Sequence, residues 1–236
     1  MSQCYRCTGR TLKAKNNLIH NHMGTIKNGG NGAFSGKAGS FIGSSWKGID
    51  YIKGIPKKSS KQPTLKQMEQ RLRFGTVLAY LGQVKDIVNM GFKSQEKNRA
   101  TGFNMAIQHA INNAVAGAYP TFEIDYAQVL FSKGTLAKTK VAVTQNEPQQ
   151  ISLSWMVNIN TRNSFEGDKL FVLIYSVQDN LFLDFENVAL RIDGTVDITL
   201  QADFDGQELQ VYTFFQQHDS NRCSESWFSG AVQMSL

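Results

Sequence analysis

Apolar residues recur at helical spacing in two segments in the first half of the chain. The first segment predicts a helix over residues 64–90, because Thr64 and Gln67 form a capping-box pair at its start. The second predicts a helix over residues 100–116, where apolar side chains follow at steps of four until Gly117. About nine residues separate the two segments, so we expect a two-helix hairpin.

In the second half of the chain the pattern changes to short apolar runs. Ile151, Leu153 and Trp155 alternate with more polar neighbours, as the inward face of a half-buried strand does. Pairs such as Asp193-Gly194 mark turns between the runs. We expect nine strands, over residues 121–126, 129–132, 140–144, 150–158, 169–176, 187–193, 195–202, 208–215 and 227–233. Short strands at this spacing are typical of an antiparallel β-sandwich, for which about 100 residues suffice.

The N-terminal region combines glycines with bulky apolar residues. Residues 24–63 hold nine of the chain's twenty glycines, yet aromatic and branched side chains recur among them. Short apolar runs interrupted by Gly or Ser are typical of strands with tight turns. Strands are predicted over residues 41–47 and 49–55, with Gly48 as the turn. Such a ribbon cannot form a core alone, because isolated hairpins are only marginally stable.

Together these patterns predict an α+β fold class: an N-terminal Gly-rich β-ribbon, a two-helix hairpin and a C-terminal antiparallel β-sandwich. The expected division is a poorly ordered extension over residues 1–22, a basic ribbon with the helical hairpin over 23–135, and an acidic sandwich over 136–236. Composition changes markedly after Met23. We therefore expect translation to begin there, with residues 1–22 as an upstream extension.

The extension contains the residues of a partial zinc-finger pattern. Cys4 and Cys7 are followed, after twelve residues, by His20 and His22. Only one residue separates the two histidines, whereas a finger helix needs about three to five between them. The histidines therefore cannot lie on one helical face. We expect no metal and no cofactor, and zinc held by these four residues is the alternative.

Charge is distributed unevenly along the chain, whose formal net charge is +6. Residues 1–66 hold 12 Lys and Arg against one acid, residues 67–140 hold 9 against 5, and residues 141–236 hold 4 against 13. The corresponding charges are +11, +4 and −9. We expect either two modules with different surfaces, or a basic head that neutralises an acidic tail within a homo-oligomer. A basic face for nucleic acid or another polyanion is the alternative.

Polyanion binding would use lysines interleaved with aromatic side chains in the N-terminal region. These candidates are Lys37, Lys47, Lys53, Lys57, Lys58, Trp46 and Tyr51. However, no arginine, the better bidentate phosphate binder, lies between Arg10 and Arg71, and no named recognition motif is present. We therefore predict a non-enzymatic structural or interaction protein, self-assembling or particle-associated, whose partner is itself or another protein. Nucleic-acid binding is the alternative.

Other functional classes find little support in the sequence. The longest unbroken apolar run, residues 170–175, is too short to span a bilayer, so no membrane partner is expected. No apolar segment of a signal peptide follows the first positive charges, so a cytoplasmic location is expected. No nucleophile elbow, metal-spaced His/Glu cluster or Rossmann fingerprint occurs, and we assign no catalytic residue. Acidic residues at predicted turns leave calcium binding as an alternative to a solvated surface.

Several stretches carry a resemblance to a known family. They are Ile26-Lys-Asn-Gly29, Gly32-Ala-Phe-Ser-Gly-Lys37, Gly43-Ser-Ser-Trp-Lys-Gly48, Asp50-Tyr-Ile-Lys53 and Pro56-Lys-Lys-Ser59. On these motifs the chain from Met23 onward resembles a bacterial family of unknown function, so the resemblance implies no particular activity. Residues 1–22 depart from the family pattern, in agreement with a start at Met23.

Residues 136–236 separately resemble a fibronectin type III or immunoglobulin-like sandwich. The resemblance implies that Trp155 occupies the core tryptophan position, that Tyr175 ends the following strand and that Tyr212 is the later core tyrosine. The Leu-Pro turn that usually precedes the last tyrosine is absent. Such modules mostly serve adhesion, spacing or assembly, so a structural or interaction role follows by analogy of fold alone.

Overall fold

A computed structural model describes residues 25–26, 32–46, 48–57, 61–96, 100–218 and 220–235. Its contacts divide the chain into two compact units, Met1–Ser60 and Lys61–Leu236. The helices fall in the same unit as the sandwich, and a separate sandwich domain beginning at residue 136 stays a prediction. The expected extension over residues 1–22 lies outside the described residues.

The described part of the first unit is one antiparallel sheet whose strands follow chain order. The strands are β1 (Thr25–Ile26), β2 (Phe34–Ala38), β3 (Phe41–Trp46) and β4 (Ile49–Gly54). Gly39 and Gly48 form the turns on either side of β3 with φ of +59° and +80°, the left-handed region that glycine adopts without strain. The predicted ribbon with its turn at Gly48 is therefore confirmed.

The first predicted helix begins where expected and is interrupted once. Thr64 Oγ1 accepts from the Gln67 N–H at 3.4 Å, and the Thr64 N–H donates to Gln67 Oε1 at 3.1 Å, which completes the capping box. A 3-10 turn at Gly82–Val84 then divides the segment into α1 (Leu65–Leu81) and α2 (Lys85–Gly91). Glycine is a weak helix former, which accounts for a break at this position.

The next helix, α3 (Gly102–Asn113), is shorter than predicted. Thr101 caps its start, since its hydroxyl accepts from the Asn104 N–H at 3.3 Å. The helix ends early because the following residues form an antiparallel hairpin, β5 (Val115–Ala118) with β6 (Thr121–Ile124). The three helices and this hairpin together make one layer of the second unit.

Two antiparallel sheets form the predicted sandwich. The larger has the order β10 (Leu181–Phe185), β9 (Lys169–Ser176), β12 (Glu208–Gln216), β13 (Trp227–Gln233). The smaller has the order β11 (Thr195–Thr199), β8 (Gln150–Trp155), β7 (Val141–Glu147). The predicted α+β fold class is therefore confirmed.

Two of the predicted strands are wrong, and the sequence pattern misses β10. Residues 129–132 form no ladder: the Phe131 N–H donates to Ser226 Oγ at 3.0 Å, and the Ser132 carbonyl accepts from the Ser226 N–H at 3.1 Å. Residues 187–193 form a loop that ends in a 3-10 turn, where the Asp193 carboxylate accepts from the Leu190 N–H at 2.7 Å. Residues 188–191 also bond to the backbone of residues 168–170, but this pairing is an isolated bridge and not a strand.

The larger sheet of the sandwich is buried on both faces. Leu170 and Val172 of β9 pack into a core shared with the smaller sheet, whereas Phe171 and Leu173 pack into a core shared with the helices. The second unit thus has three layers, in the order helices, larger sheet and smaller sheet. A strand covered on both sides needs apolar residues at every position, which explains the unbroken apolar run over residues 170–175.

The three aromatic residues expected in the sandwich core are buried, but in different cores. Trp155 packs between the two sheets, whereas Tyr175 and Tyr212 face the helices. The Tyr212 hydroxyl lies 3.1 Å from that of Tyr80 in α1 and donates to the carbonyl of Tyr126 at 2.9 Å. Burial raises the pKa of Tyr80 and Tyr212, so both hydroxyls stay protonated and join helix to sheet.

Candidate interaction surfaces

Strand register gathers the sequence-predicted binding residues on one face of the N-terminal sheet. Lys37 in β2, Ile42 in β3 and Lys53 in β4 are direct partners across the three strands. Cross-strand partners share a face of the sheet. Two lysines therefore flank one isoleucine in a single row.

The same face carries the two predicted aromatic residues. Side chains two positions apart on a strand share a face, so Trp46 lies on the face of Ile42, and its partner in β4 is Ile49. Tyr51 lies between Ile49 and Lys53, and Lys53 Nζ is 5.8 Å from the Tyr51 ring centroid, within cation–π range. We call this surface, made of Lys37, Ile42, Trp46, Ile49, Tyr51 and Lys53, the basic–aromatic face.

Four of the seven predicted residues thus share the basic–aromatic face. Trp46 and Tyr51 are 45% and 43% exposed, and both lysines are exposed. Lys57 follows β4 and is also exposed, whereas Lys47 and Lys58 lie outside the described residues. The structure therefore brings the predicted aromatic and basic groups together, and polyanion binding by them stays a prediction.

The single acid of the first unit belongs to the opposite face. Asp50 pairs with Ser45, and both alternate with the residues of the basic–aromatic face. Residues 1–60 hold ten Lys and Arg against this one acid. The described residues of the basic–aromatic face therefore present positive charge and aromatic surface without a carboxylate.

Large apolar side chains are exposed on both faces of the N-terminal sheet. Ile49 on the basic–aromatic face is 55% exposed, and Phe41 and Ile52 on the other face are 56% and 63% exposed. Single exposed apolar residues are ordinary, but several on one small sheet make it a candidate interaction surface. The sheet therefore has the composition of a docking element.

A group of carboxylates meets at one end of the sandwich. Gln207 Nε2 donates to Asp179 Oδ2 at 2.8 Å and to the Asp203 carbonyl at 3.0 Å, which joins two turns that are distant in sequence. Asp205 follows in the turn of Asp203, and Glu208 starts β12. We call Asp179, Asp203, Asp205 and Glu208 the acidic end. None of the four makes an ion pair with a described residue.

The sequence predicts turns at Asp179, Asp203 and Asp205 and a strand beginning at Glu208, but it does not bring the four acids together. The only signal in the sequence is the excess of acids over residues 141–236, which does not show that two separate turns converge. The convergence follows from the pairing of β9 with β12, whose ends carry the turns.

Groups suited to catalysis or metal binding are few in the described part of the chain. No cluster of three His, Cys, Asp or Glu residues there could hold a metal ion. The calcium alternative therefore has no candidate site among the described residues. The zinc alternative at Cys4, Cys7, His20 and His22 lies outside the described ranges. Burial raises the pKa of the Cys223 thiol to about 12, so it is protonated at neutral pH. No described helix is both long and apolar enough to cross a bilayer.

Comparison with known proteins assigns the chain to a family. Residues 33–230 match the model described as "Family of unknown function (DUF6266)", and the chain belongs to that family. The resemblance to a family of unknown function is confirmed, whereas the N-terminal signature motif and a bacterial origin stay predictions. No curated protein matches the chain.

Among solved structures, the fibronectin type III domain of the human collagen alpha-1(XX) chain is similar to this protein. The similarity covers 44% of this chain and 85% of that domain, with 10% sequence identity and a TM-score of 0.31. A likeness this weak says nothing about function. The sandwich described above rests on the strand pairing of this chain itself.

Proposed function

We propose that the protein is a non-catalytic structural or interaction protein that assembles head to tail with copies of itself. The basic–aromatic face of one copy would bind the acidic end of the next. The observation that carries the proposal is the register that places Lys37, Lys53, Trp46 and Tyr51 on one face and Asp50 on the other.

Charge would steer and orient this contact. The basic–aromatic face offers lysines, and the acidic end offers four carboxylates that make no ion pair with a described residue. Complementary charge raises association rates and fixes orientation more than it adds affinity. Affinity would come from Trp46 and Tyr51, since buried aromatic side chains carry much of the binding energy at interfaces. Because the two patches differ, the assembly closes a ring or extends as a filament, and either suits a component of a larger particle.

Light scattering by the full chain across a salt series tests the proposal. We expect assemblies at low salt that dissociate as salt rises, because exposed charges are screened beyond about 10 Å at 0.1 M. The double variant Lys37→Gln/Lys53→Gln should weaken association about tenfold, or about 1.4 kcal/mol. Lys66→Gln removes an exposed lysine of α1 and serves as the control. It should change association less than about twofold.

Charge reversal makes the test specific for the two patches. Neither Lys37→Glu/Lys53→Glu nor Asp179→Lys/Asp203→Lys should assemble alone, because each brings like charges together. Mixed in equal amounts, the two variants should assemble again. A strict monomer at every salt and protein concentration, or a mixture that stays monomeric, would show that the proposal is wrong.

Binding of single-stranded nucleic acid is the second candidate, favoured by the alternation of lysines and aromatic side chains on one face. With about five phosphate contacts, the slope of log affinity against log salt would be about −3.5 on single strands and about −4.5 on duplex. We expect only weak binding, because residues 141–236 carry a charge of −9. Sub-micromolar binding at physiological salt, lost in Lys37→Gln/Lys53→Gln and weakened on single strands by Trp46→Ala, would make nucleic acid the partner instead.

A further inference from the structure

A cavity of about 210 Å³ lies beside α3 in the second unit. Five residues of α3 line it: Met105, Gln108, His109, Asn112 and Asn113. Phe92, just after α2, and Lys133, in the segment before the sandwich, form much of the remaining wall. None of the described residues that line the cavity is acidic.

Backbone contacts hold Lys133 at this position. Its N–H donates to the Gly91 carbonyl at 3.0 Å, and its carbonyl accepts from Ser94 Oγ at 2.9 Å. A Cβ at Gly91 would collide with the backbone oxygen of Phe131, so the close approach of the two segments requires glycine. Lys133 is therefore anchored to the end of α2, while its side chain is exposed.

The charged groups near the cavity favour an anion. Burial, followed by the Lys133 ammonium, lowers the pKa of His109, which Glu225 raises only in part. His109 is therefore neutral at pH 7, and its Nδ1 is buried without a hydrogen-bond partner among the described residues. Glu225 is held by Lys138 at 2.7 Å, and Lys133 makes no ion pair with a described residue. Among the described residues that line the cavity, the Lys133 ammonium thus has no carboxylate partner.

We propose that this cavity binds a small aromatic carboxylate. The carboxylate would pair with the Lys133 ammonium, and the ring would pack on Phe92 and Met105. The amides of Gln108 and Asn112 would hydrogen-bond to polar substituents of the ring. An apolar floor with a few convergent polar groups is the usual composition of a small-molecule site.

The volume of the cavity matches a ligand of this kind. An apolar cavity of about 150 Å³ holds benzene. A volume of about 210 Å³ leaves room for a carboxylate as well. The residues that line the cavity are not among those of the basic–aromatic face or the acidic end, so the proposal does not depend on self-assembly.

Three probes separate charge from shape: benzoate has a ring and a charge, benzamide has the ring alone, and acetate has the charge alone. NMR titration of the ¹⁵N-labelled full chain measures the affinity for each. We expect benzoate to shift the amide signals of α3 and Lys133 saturably and benzamide to bind about tenfold more weakly, because a charge-assisted hydrogen bond is the stronger one. Acetate should give no saturable shift. No benzoate binding up to about 10 mM, or equal affinity for benzoate and benzamide, would overturn the proposal.

A pair of lysine variants tests the role of Lys133. Lys133→Gln removes the charge from an exposed side chain and leaves the other lining residues unchanged. Benzoate affinity should fall about tenfold, while benzamide affinity stays within about twofold. Lys66→Gln, the matched control on α1, should change neither. An equal loss in both variants would identify a nonspecific charge effect and contradict the site.

The imidazole of His109 provides a second readout that does not depend on affinity. Lys133→Gln should raise the pKa of His109, because removal of a neighbouring positive charge favours the imidazolium. Bound benzoate should raise the same pKa in the unmodified protein, and Lys66→Gln should leave it unchanged. If saturating benzoate leaves the pKa of His109 where it is, the anion does not bind in this cavity and the proposal is wrong.

Discussion

Asp168→Asn is expected to lower the free energy of unfolding of the second unit by about 3–5 kcal/mol. The side chains of Asp168 and Arg191 are fully buried, and Arg191 Nε donates to Asp168 Oδ2 at 2.9 Å. Without the carboxylate charge, the guanidinium stays buried with only neutral partners such as Thr139 Oγ1. Asparagine keeps an oxygen that can accept from the Phe165 N–H. The expected loss of stability therefore measures the effect of removing the carboxylate charge.

Denaturant unfolding measures this loss, and two variants make it specific. Asp197→Asn is the control, because Asp197 is exposed and accepts from Ser152 Oγ on the outer face of the smaller sheet. It should change stability by less than about 0.5 kcal/mol. The double variant Asp168→Asn/Arg191→Met removes both charges and should recover most of the loss. If the single and double variants are equally unstable, the unpaired charge is not the cause.

Phe131→Ala is expected to destabilise the helices and the sandwich together, by about 3–5 kcal/mol. The Phe131 side chain is fully buried between the two layers. Its ring centroid lies 6.2 Å from that of Tyr80 in α1, 5.5 Å from that of Phe182 in β10 and 4.7 Å from that of Tyr212 in β12. Truncation would therefore leave a cavity that no single layer can close.

The shape of the unfolding transition distinguishes one folding unit from two. Helix loss by far-ultraviolet circular dichroism and the fluorescence of Trp155 and Trp227 in the sandwich should follow one curve, with and without Phe131→Ala. Both proteins carry Trp46→Phe, which removes the tryptophan signal of the first unit. Phe41→Ala, an exposed phenylalanine of that unit, is the control and should leave the curve unchanged. Helices that unfold first, with the sandwich intact, would instead support the predicted boundary at residue 136.

Elements with local signals were predicted well. The capping box at Thr64 and Gln67 needs only residues three positions apart, and it is present in the structure. The turn at Gly48 needs only a residue that tolerates positive φ. The alternation of Ile151, Leu153 and Trp155 likewise predicted β8 and its buried side chains.

Elements that depend on distant partners were predicted poorly. Residues 129–132 have the composition of a strand, but Ser224 and Ser226 bond to them from the other end of the chain. At residues 129–132, tertiary contacts therefore overrode local preference. The Val115–Ala118 segment is a different case: it continues the helical pattern of α3, but it pairs with the neighbouring Thr121–Ile124 as a local hairpin.

The candidate sites likewise combine residues that the sequence predicted with an arrangement that only the tertiary structure shows. The sequence supplied the lysines and aromatic residues of the first unit as candidates, and register decided that four of them share a face. The cavity beside α3 had no signal in the sequence, because glutamine, asparagine and histidine on a helix are ordinary surface residues. It exists because Lys133 and Phe92 are brought to that face by the packing of α2.

By itself, the sequence determined what neighbouring residues decide: the helix start at Thr64, the turn at Gly48, the alternation of the sandwich strands and the separation of basic from acidic segments. Only the tertiary structure decided which residues meet across the chain: Asp168 with Arg191, Asp179 with the turn of Asp203, and Lys133 with His109. The physical reason is that capping, turn geometry and periodicity act over a few residues. Ion pairs, acidic ends and cavities arise from the register and packing of segments that are far apart in sequence.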